Sequence, residues 1–254
     1  MPLPSPADSH CSASETAPQK RKTIRAPGLR LILIRHGESL SNVDGVVAGP
    51  RTCLGLTDRG HSQAVAVADD LAAECHRFGT IVVYSTAVRR AVQTAEPIAE
   101  KLGVPLRPEF PYHEHGDAEG QPRVEITADP THPLALSPDY PLAAGADSWP
   151  VAAQRVGRKL DMLATQHPGA TVILACHRET ILAAAQHFQR IPPTLAYASA
   201  EVDYTAITEW ERRPRTRNPQ QWRWVLIRHN DTRHLRGSGT PGVYLANGVC
   251  GDLH

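Results

Sequence analysis

Three short apolar runs, each followed directly by reactive polar residues, constrain the fold of this chain more than any other feature. The runs occupy residues 31–34, 80–84 and 171–175, and their composition is typical of strands buried on both faces. Two later runs, residues 201–210 and 222–227, predict further strands. Apolar residues recur at helical spacing over residues 61–77, 88–102, 149–166 and 179–189. Strands that alternate with helices predict an α/β fold: a three-layer sandwich with a mostly parallel central sheet and helices on both faces.

The organisation of the chain is predicted from its length and from local shifts in composition. Residues 1–28 are rich in Ser, Pro and Ala and lack the apolar core of a signal peptide, so we expect a disordered leader. A single main domain is predicted over residues 29–236, followed by a Gly-rich C-terminal tail over 237–254. Within the domain, residues 106–148 are irregular and rich in Pro, His and Gly, which predicts a small irregular cap over the functional site.

Charge and cysteine content exclude several classes of protein. The net charge is +1, from 27 basic and 26 acidic residues, which argues against a protein that binds nucleic acid or an anionic membrane surface. No stretch reaches the roughly 18 apolar residues of a membrane span. The five cysteines are scattered without a CxxC pair, which favours free thiols in a reducing compartment over a zinc site. We therefore expect a cytoplasmic protein that binds no metal and no cofactor, and we keep a homodimer as a hypothesis.

Reactive side chains follow each of the three buried strands. Arg35 and His36 come after the first strand, Arg90 comes soon after the second, and His177 comes after the third. Because the carboxyl ends of parallel strands meet at one edge of a sheet, we expect these four side chains to lie close together. Arginine binds phosphate oxygens through its planar fork, and a neutral imidazole can attack phosphorus. The sequence therefore predicts a site for phosphoryl transfer at this edge.

Five motifs, in order along the chain, give this reading a family context. They are Arg35-His36-Gly37 with Asn42, Leu-Thr-x-x-Gly-x-x-Gln-Ala at residues 56–64, Tyr-Ser and Arg-Ala-Val-Gln-Thr-Ala at residues 84–95, Cys176-His177, and Asn-x-x-x-His-Leu at residues 230–235. Together they resemble the histidine phosphatase superfamily, which includes the phosphoglycerate mutases. Arg-His-Gly alone is a weak signal, but all five motifs in order are specific. The resemblance spans residues 30–235, nearly all of the predicted main domain.

The resemblance implies an activity and a set of site residues. It implies a metal-independent phosphatase that hydrolyses a small phosphorylated metabolite, a phosphate monoester, through a phosphohistidine intermediate. His36 would be the nucleophile, and Arg35, Asn42 and Arg90 would hold the phosphate. His177 would be the second catalytic histidine and would complete the phosphate pocket as a hydrogen-bond donor.

The proton donor and the substrate-binding residues are less constrained by the sequence. A carboxylic acid must protonate the leaving oxygen, and Glu114 is the first candidate, with Asp117 and Glu119 as rivals. Arg178 stands where many members of the family have Gly, and it either reaches a second anionic group of the substrate or turns to solvent. Glu38 is a further candidate for substrate binding.

Three alternatives use the same phosphate pocket. A mutase of the phosphoglycerate type would return the phosphate to another hydroxyl, although the long helical cap pattern of such mutases is missing from residues 106–148. A pathway-specific enzyme could catalyse a different step in the same pocket. A binding protein could retain the scaffold without turnover, which the intact arginines and histidines argue against.

A second Arg-His pair, Arg228-His229, lacks the following Gly and is not expected to be a second active site.

Overall fold

A six-stranded sheet forms the centre of the fold in the computed structural model. The strands are β1 (Arg30–Arg35), β2 (Ile81–Thr86), β3 (Leu106–Phe110), β4 (Thr171–Cys176), β5 (Ile207–Pro214) and β6 (Trp222–Asp231). Their order across the sheet is β3-β2-β4-β1-β5-β6. The pairings from β3 to β1 are parallel, and β5 lies antiparallel to both of its neighbours. Only β5 therefore runs against the rest, which confirms the predicted mostly parallel sheet.

Helices cover both faces of the sheet. The helices of the described residues are α1 (Leu40–Val43), α2 (Asp58–Glu74), α3 (Arg89–Leu102), α4 (Arg123–Thr127), α5 (Trp149–Gln166) and α6 (Arg178–Gln189). Of these, α2 and α3 cover one face and α5 and α6 the other. Alternate residues of β1 serve the two faces: Leu31 and Leu33 pack with α5 and α6, and Ile32 and Ile34 pack with α2 and α3. This alternation gives the predicted three layers, each side sealed by its own apolar core.

The structure describes residues 28–127, 133, 137–196, 199–218 and 220–236. The predicted leader, apart from its last residue, and the predicted tail over 237–254 lie outside these ranges, as does part of the predicted cap. Among the helices within the described ranges, none is long and apolar enough to cross a bilayer.

Two stretches of the sheet differ from the sequence-based expectation. Residues 106–110 were expected to be irregular, but they form the edge strand β3, so the irregular cap segment begins at residue 111. The sequence of β3 is polar and contains Pro108, which lacks a backbone donor and is tolerated at a sheet edge. The run over 201–210 does not begin as a strand; β5 starts at Ile207 because Thr205 adopts a φ of 55° and turns the chain.

The second Arg-His pair has a structural role. Arg228 lies on β6 with its guanidinium 2.9 Å from Glu209, 3.0 Å from Glu74 and 3.1 Å from Asp231. Glu209 is almost completely buried on β5, so its charge needs such a partner. His229 contacts the hydroxyl of a β5 threonine. Arg228 therefore ties β6 to β5 and to α2, away from the first Arg-His pair.

Candidate active site

His36 lies at the carboxyl end of β1, buried with only 4% of its surface exposed. Its backbone N–H donates to the carbonyl of Cys176 on β4, which continues the strand pairing by one residue. Its Nδ1 lies 2.7 Å from the carbonyl oxygen of Gly37. A carbonyl can only accept, so Nδ1 carries the proton and Nε2 keeps its lone pair. This is the tautomer that a nucleophilic imidazole requires.

Arg90, in the first turn of α3, joins the two histidines. Its Nε donates to His36 Nε2 at 3.0 Å, its Nη2 lies 3.2 Å from His177 Nδ1, and its Nη1 donates to the Ala48 carbonyl at 2.9 Å. Because a guanidinium only donates, both imidazole nitrogens accept, and His177 Nε2 carries the proton that faces the Thr86 hydroxyl at 2.9 Å. The two imidazole rings are 5.3 Å apart. The structure thus brings His36, His177 and Arg90 together.

Arg35, the last residue of β1, borders this cluster. Its Nη1 donates to the Val202 carbonyl at 2.5 Å, and its guanidinium carbon lies 4.2 Å from the centre of the Tyr204 ring. Its Nε is buried and has no hydrogen-bond partner among the described residues. The Tyr204 ring is in turn 6.0 Å from the His36 ring. Arg35 therefore lies close to His36, with one buried donor unused among the described residues.

The motif at residues 56–64 holds the turn after β1. Thr57 caps α2 by accepting from the N–H of Gly60, and its hydroxyl contacts a Glu38 carboxylate oxygen at 2.9 Å. Gly60 packs so closely that a Cβ there would lie 2.0 Å from the Glu38 carbonyl oxygen. Gln63 accepts from the Glu38 N–H at 2.9 Å. The second carboxylate oxygen of Glu38 pairs with Arg59 at 3.3 Å. The contacts of Glu38 thus hold α2 to the turn, and its predicted substrate binding stays untested.

A second support for the turn comes from α3. The N–H of Gly37 donates to the Thr94 hydroxyl at 3.0 Å, and that hydroxyl donates to the Arg90 carbonyl at 2.7 Å. Thr94 therefore fixes the turn after His36 relative to the helix that carries Arg90. Asn42 lies on α1 with its side chain exposed, and its Oδ1 accepts from the Ser39 hydroxyl at 2.6 Å. The predicted contact of Asn42 with phosphate remains a prediction.

The first two candidates for the proton donor lie at the start of the cap. Glu114 is exposed, and its backbone is held by Asp147, whose carboxylate accepts from the Glu114 N–H at 2.8 Å. Arg155 of α5 pairs with Asp147 and donates to the Tyr112 carbonyl at 2.6 Å. These bonds anchor the segment that carries Glu114 to α5. Asp117, two residues past His115, is also exposed.

Glu119 has a different environment. Its carboxylate accepts from the backbone N–H groups of Arg51 and Thr52 at 2.7 and 3.0 Å, from Arg51 Nε at 3.0 Å and from the Thr52 hydroxyl at 3.2 Å. Burial opposes ionisation, but these hydrogen bonds lower the pKa of Glu119 below its ordinary value. A carboxylate held ionised in this way is poorly suited to donate a proton, so its contacts indicate that it anchors the loop at Arg51 and Thr52.

Glu179 is a carboxylate that the sequence did not single out as an acid. It follows Arg178 in the first turn of α6, and although burial opposes ionisation, its own backbone N–H and its interaction with the nearby His177 lower its pKa to about 2. Its charge acts in turn on His177 and on His115 of the cap. Arg178 donates to the Ser199 hydroxyl at 2.8 Å. The sequence signal that could have identified Glu179 as a site residue was its position two residues after His177.

Comparison with known protein families decides the relationship. The family described as the histidine phosphatase superfamily (branch 1) matches residues 31–232. The chain belongs to the histidine phosphatase superfamily. The five motifs therefore predicted the family correctly, and the match covers both the sheet and the cap segment.

Curated members of the superfamily resemble this chain over different lengths. Glucosyl-3-phosphoglycerate phosphatase of Mycobacterium tuberculosis is 28% identical over 175 residues, covering 64% of this chain and 76% of the relative. The metal-independent phosphoserine phosphatase of Arabidopsis thaliana is 25% identical over 235 residues, covering 87% and 88%. The 2,3-bisphosphoglycerate-dependent phosphoglycerate mutase of Bartonella quintana is 34% identical over 104 residues, covering 39% of this chain and 49% of the mutase. The similarity thus spans about half of that mutase.

Solved structures of the superfamily share the fold. Phosphoserine phosphatase from Entamoeba histolytica, in complex with 3-phosphoglyceric acid, is 26% identical with a TM-score of 0.64, covering 82% of this chain and 99% of that one. The native mycobacterial glucosyl-3-phosphoglycerate phosphatase is 24% identical with a TM-score of 0.66, covering 79% and 98%. These similarities confirm the α/β class of the histidine phosphatase fold.

Both histidines of the candidate site are held in the neutral form. Burial, followed by the positive charge of Arg90, lowers the pKa of His36 and of His177 well below the ordinary value of 6.5. Burial also lowers the pKa of His115 to about 4. A neutral His36 keeps its Nε2 lone pair, so a nucleophilic role for this imidazole would need no general base.

The low histidine pKa values predict a loss of stability in mild acid. The unfolded chain binds protons at these histidines near pH 6.5, whereas the folded protein does not, so their contribution is fully present above about pH 6.5 and is lost as the pH falls below it. Each such histidine adds a slope of up to about 1.4 kcal/mol per pH unit. Urea unfolding at a series of pH values between about 7 and 5 should show the free energy of unfolding falling with pH, and His177→Gln should reduce that slope. An unchanged free energy across this range would contradict the neutral, buried state of these imidazoles.

Proposed function

We propose that this protein is a metal-independent phosphatase, a hydrolase that cleaves the phosphate monoester of a small metabolite through a phosphohistidine on His36. The observation that carries the proposal is the bridge from Arg90 to both histidines, with distances of 3.0 and 3.2 Å to His36 Nε2 and His177 Nδ1. The nitrogen that must attack phosphorus is thereby paired with the cation that must bind the phosphate. An entering phosphate takes over hydrogen bonds that Arg90 makes to the two imidazoles.

In the first step, the lone pair of His36 Nε2 attacks phosphorus and the bond from phosphorus to the ester oxygen breaks. Arg90 and the unused Nε of Arg35 offset the charge on the phosphate oxygens. His177 can support this charge as a donor, because the Thr86 hydroxyl can either accept from or donate to Nε2 and so permits the tautomer with a proton on Nδ1. The leaving oxygen takes a proton from a carboxylic acid.

In the second step, water attacks the phosphorus of the phosphohistidine, and the bond from phosphorus to His36 Nε2 breaks to release free phosphate. The carboxylate that gave up its proton accepts one from the water. We propose Glu114 as this acid and base, in accord with its position in the family motif. Glu179, whose pKa is lowered to about 2, is held ionised and suits a contact with the leaving group better than proton donation. Asn42 as a phosphate ligand, and Arg178 and Glu38 as substrate ligands, remain parts of the proposal.

The named activities of the relatives support a phosphatase. Two of them are phosphatases of small phosphorylated metabolites, and their similarity covers 64% and 87% of this chain. The mutase relative fits the alternative of phosphate return to a second hydroxyl, but its similarity covers 39%. Metal independence, the cytoplasmic location, the absence of nucleic-acid and membrane partners, and a homodimer stay predictions.

The proposal is tested by product analysis in the presence of EDTA. The purified protein is incubated with an aryl phosphate, phosphoserine, glucosyl-3-phosphoglycerate and 3-phosphoglycerate, and both free phosphate and isomerised phosphoglycerate are measured. We expect release of free phosphate from at least one monoester, unaffected by EDTA. Isomerisation without release would identify a mutase. Binding of inorganic phosphate without turnover of any monoester would identify a binding protein on this scaffold.

The identity of the acid gives a separate prediction. Glu114→Gln should lower kcat/KM for alkyl phosphates by about 10²-fold to 10³-fold, because their leaving alkoxide needs a proton, and should leave kcat/KM for nitrophenyl phosphate almost unaffected. Glu179→Gln should change both substrate classes by similar factors. The measurement is kcat/KM for the two classes with both variants. The reverse pattern, with leaving-group dependence in Glu179→Gln alone, would assign the acid to Glu179.

A further inference from the structure

A strained turn precedes β5 at the border of the active site. Thr205 is completely buried and adopts a φ of 55°, a conformation that β-branched residues rarely take. Its N–H donates to the Arg35 carbonyl at 3.0 Å, so the turn is attached directly to the end of β1. Such backbone strain persists only where surrounding contacts impose it, and it is concentrated at functional sites.

Two residues of the C-terminal motif impose this turn. The Asn230 side chain accepts from the Asp203 N–H at 2.7 Å and donates to the Asp203 carboxylate at 3.1 Å. The His234 Nε2 lies 3.0 Å from the Thr205 hydroxyl. Asn230 itself has a φ of 51°, which Asn tolerates better than most residues. These contacts explain why a motif distant in sequence from the nucleophile bears on the active site: it fixes the residues on both sides of Tyr204.

Tyr204 is the residue of this turn that lies beside Arg35 and His36. Its ring centre lies 4.2 Å from the guanidinium carbon of Arg35 and 6.0 Å from the ring centre of His36. The Val202 carbonyl, at the start of the same turn, accepts from Arg35 Nη1 at 2.5 Å. The turn therefore holds Arg35 by a hydrogen bond and by the face of an aromatic ring, and it leaves the buried Nε of Arg35 without a partner among the described residues.

We propose that Tyr204 is a positioning residue for phosphate binding, which orients Arg35 beside His36 and is itself held in place by Asn230 and His234. The proposal rests on the phosphate site of the proposed function. Arginine stacked on an aromatic ring keeps its N–H groups in the guanidinium plane free for an anion, so the ring fixes the cation without competing with the substrate. A ring in this place restricts the guanidinium to one orientation before phosphate arrives, which lowers the entropic cost of binding.

The test measures binding of inorganic phosphate by titration calorimetry and kcat and KM for an aryl phosphate, with melting temperature as the control for folding. Tyr204→Leu should weaken phosphate binding about tenfold and lower kcat/KM by at least that factor, in line with the strength of a desolvated cation–aromatic contact. Tyr204→Phe keeps the ring and should stay within about twofold of the wild type. Tyr140→Leu, at an exposed tyrosine of the cap, is the matched control and should bind phosphate as the wild type does.

The role of the C-terminal motif is tested by a double-mutant cycle. Asn230→Gly keeps the left-handed backbone but removes both bonds to Asp203, and it should weaken phosphate binding in the wild-type background. In the Tyr204→Leu background it should have little further effect, because the residue through which it acts is gone. If the losses of phosphate affinity from Asn230→Gly and Tyr204→Leu add in the double variant, Asn230 does not act through Tyr204 and the proposed link is overturned.

Three outcomes would overturn the role of Tyr204 itself. They are wild-type phosphate affinity in a folded Tyr204→Leu protein, an equal loss in Tyr204→Phe, and no binding of inorganic phosphate by the wild type. Phosphate affinity is measured without turnover, so the two proposals can fail separately. If the wild type binds phosphate but hydrolyses no ester, the proposed function is contradicted, and the phosphate affinities of the Tyr204 variants still test the role of Tyr204.

Discussion

Replacement of His36 by alanine is expected to abolish hydrolysis, with kcat lowered by about 10⁵-fold or more, because the proposed covalent intermediate forms on its Nε2. When catalytic residues act as a unit, removal of the nucleophile alone lowers kcat about as much as removal of all of them. The measurement is kcat for the best monoester substrate. His36→Ala should still bind inorganic phosphate, since Arg90 loses an acceptor but keeps its charge.

His61→Ala is the matched control for this variant. His61 is an exposed histidine on α2, so its removal should leave kcat and melting temperature unchanged within error. A His36→Ala protein that folds and retains more than about a hundredth of wild-type kcat would mean that phosphate is transferred directly to water, without the covalent route.

Replacement of Arg90 is expected to have the second largest effect. Arg90→Ala should lower kcat by about 10³-fold or more, comparable to the loss of an arginine that stabilises transferring phosphate in other enzymes. Arg90→Lys should recover little of this, because three separate nitrogens of the guanidinium contact His36, His177 and the Ala48 carbonyl. A lysine places one point charge where a planar fork is needed. The measurements are kcat and the inhibition constant of inorganic phosphate.

Arg89→Ala controls for the removal of a positive charge from the same helix turn. Arg89 is exposed beside the buried Arg90, since adjacent residues of a helix point about 100° apart. We expect Arg89→Ala to change kcat by less than about threefold. A near-normal rate in Arg90→Ala, or a larger loss in Arg89→Ala, would show that another arginine binds the phosphate.

The elements with strong apolar patterns could be predicted from the sequence. β1 and β4 pair in parallel and are buried on both faces, so their continuous apolar runs marked them clearly. β3 could not be found in this way, because an edge strand needs no apolar run and its Leu-Arg-Pro-Glu-Phe sequence is mostly polar. The turn at Thr205 differs from the strand that the run over 201–210 predicts, because contacts with residues distant in sequence hold it. The Thr205 N–H donates to the Arg35 carbonyl, its hydroxyl contacts His234, and Asn230 holds the neighbouring Asp203.

The centre of the candidate site was predictable for a topological reason. His36, Arg90 and His177 follow strands that end at one edge of the sheet, so the expectation of parallel strands was enough to bring them together. Tyr204 and Glu179 were not predicted as site residues, because only the placement of their side chains connects them to the site. The Tyr204 ring lies 4.2 Å from the guanidinium carbon of Arg35, and the charge of Glu179 acts on His177. The acid remains a proposal for the same reason, since Glu114 lies in a cap segment that sequence pattern does not position.

The covalent intermediate can be measured directly. Wild-type protein is mixed with a phosphate monoester labelled on phosphorus, quenched in alkali within one turnover, digested and analysed by mass spectrometry. Our account predicts a phosphoryl group on the peptide that contains His36, stable in alkali and lost in acid, and absent from the His36→Ala variant. Label on another residue, or turnover with no labelled peptide at any quench time, would contradict it.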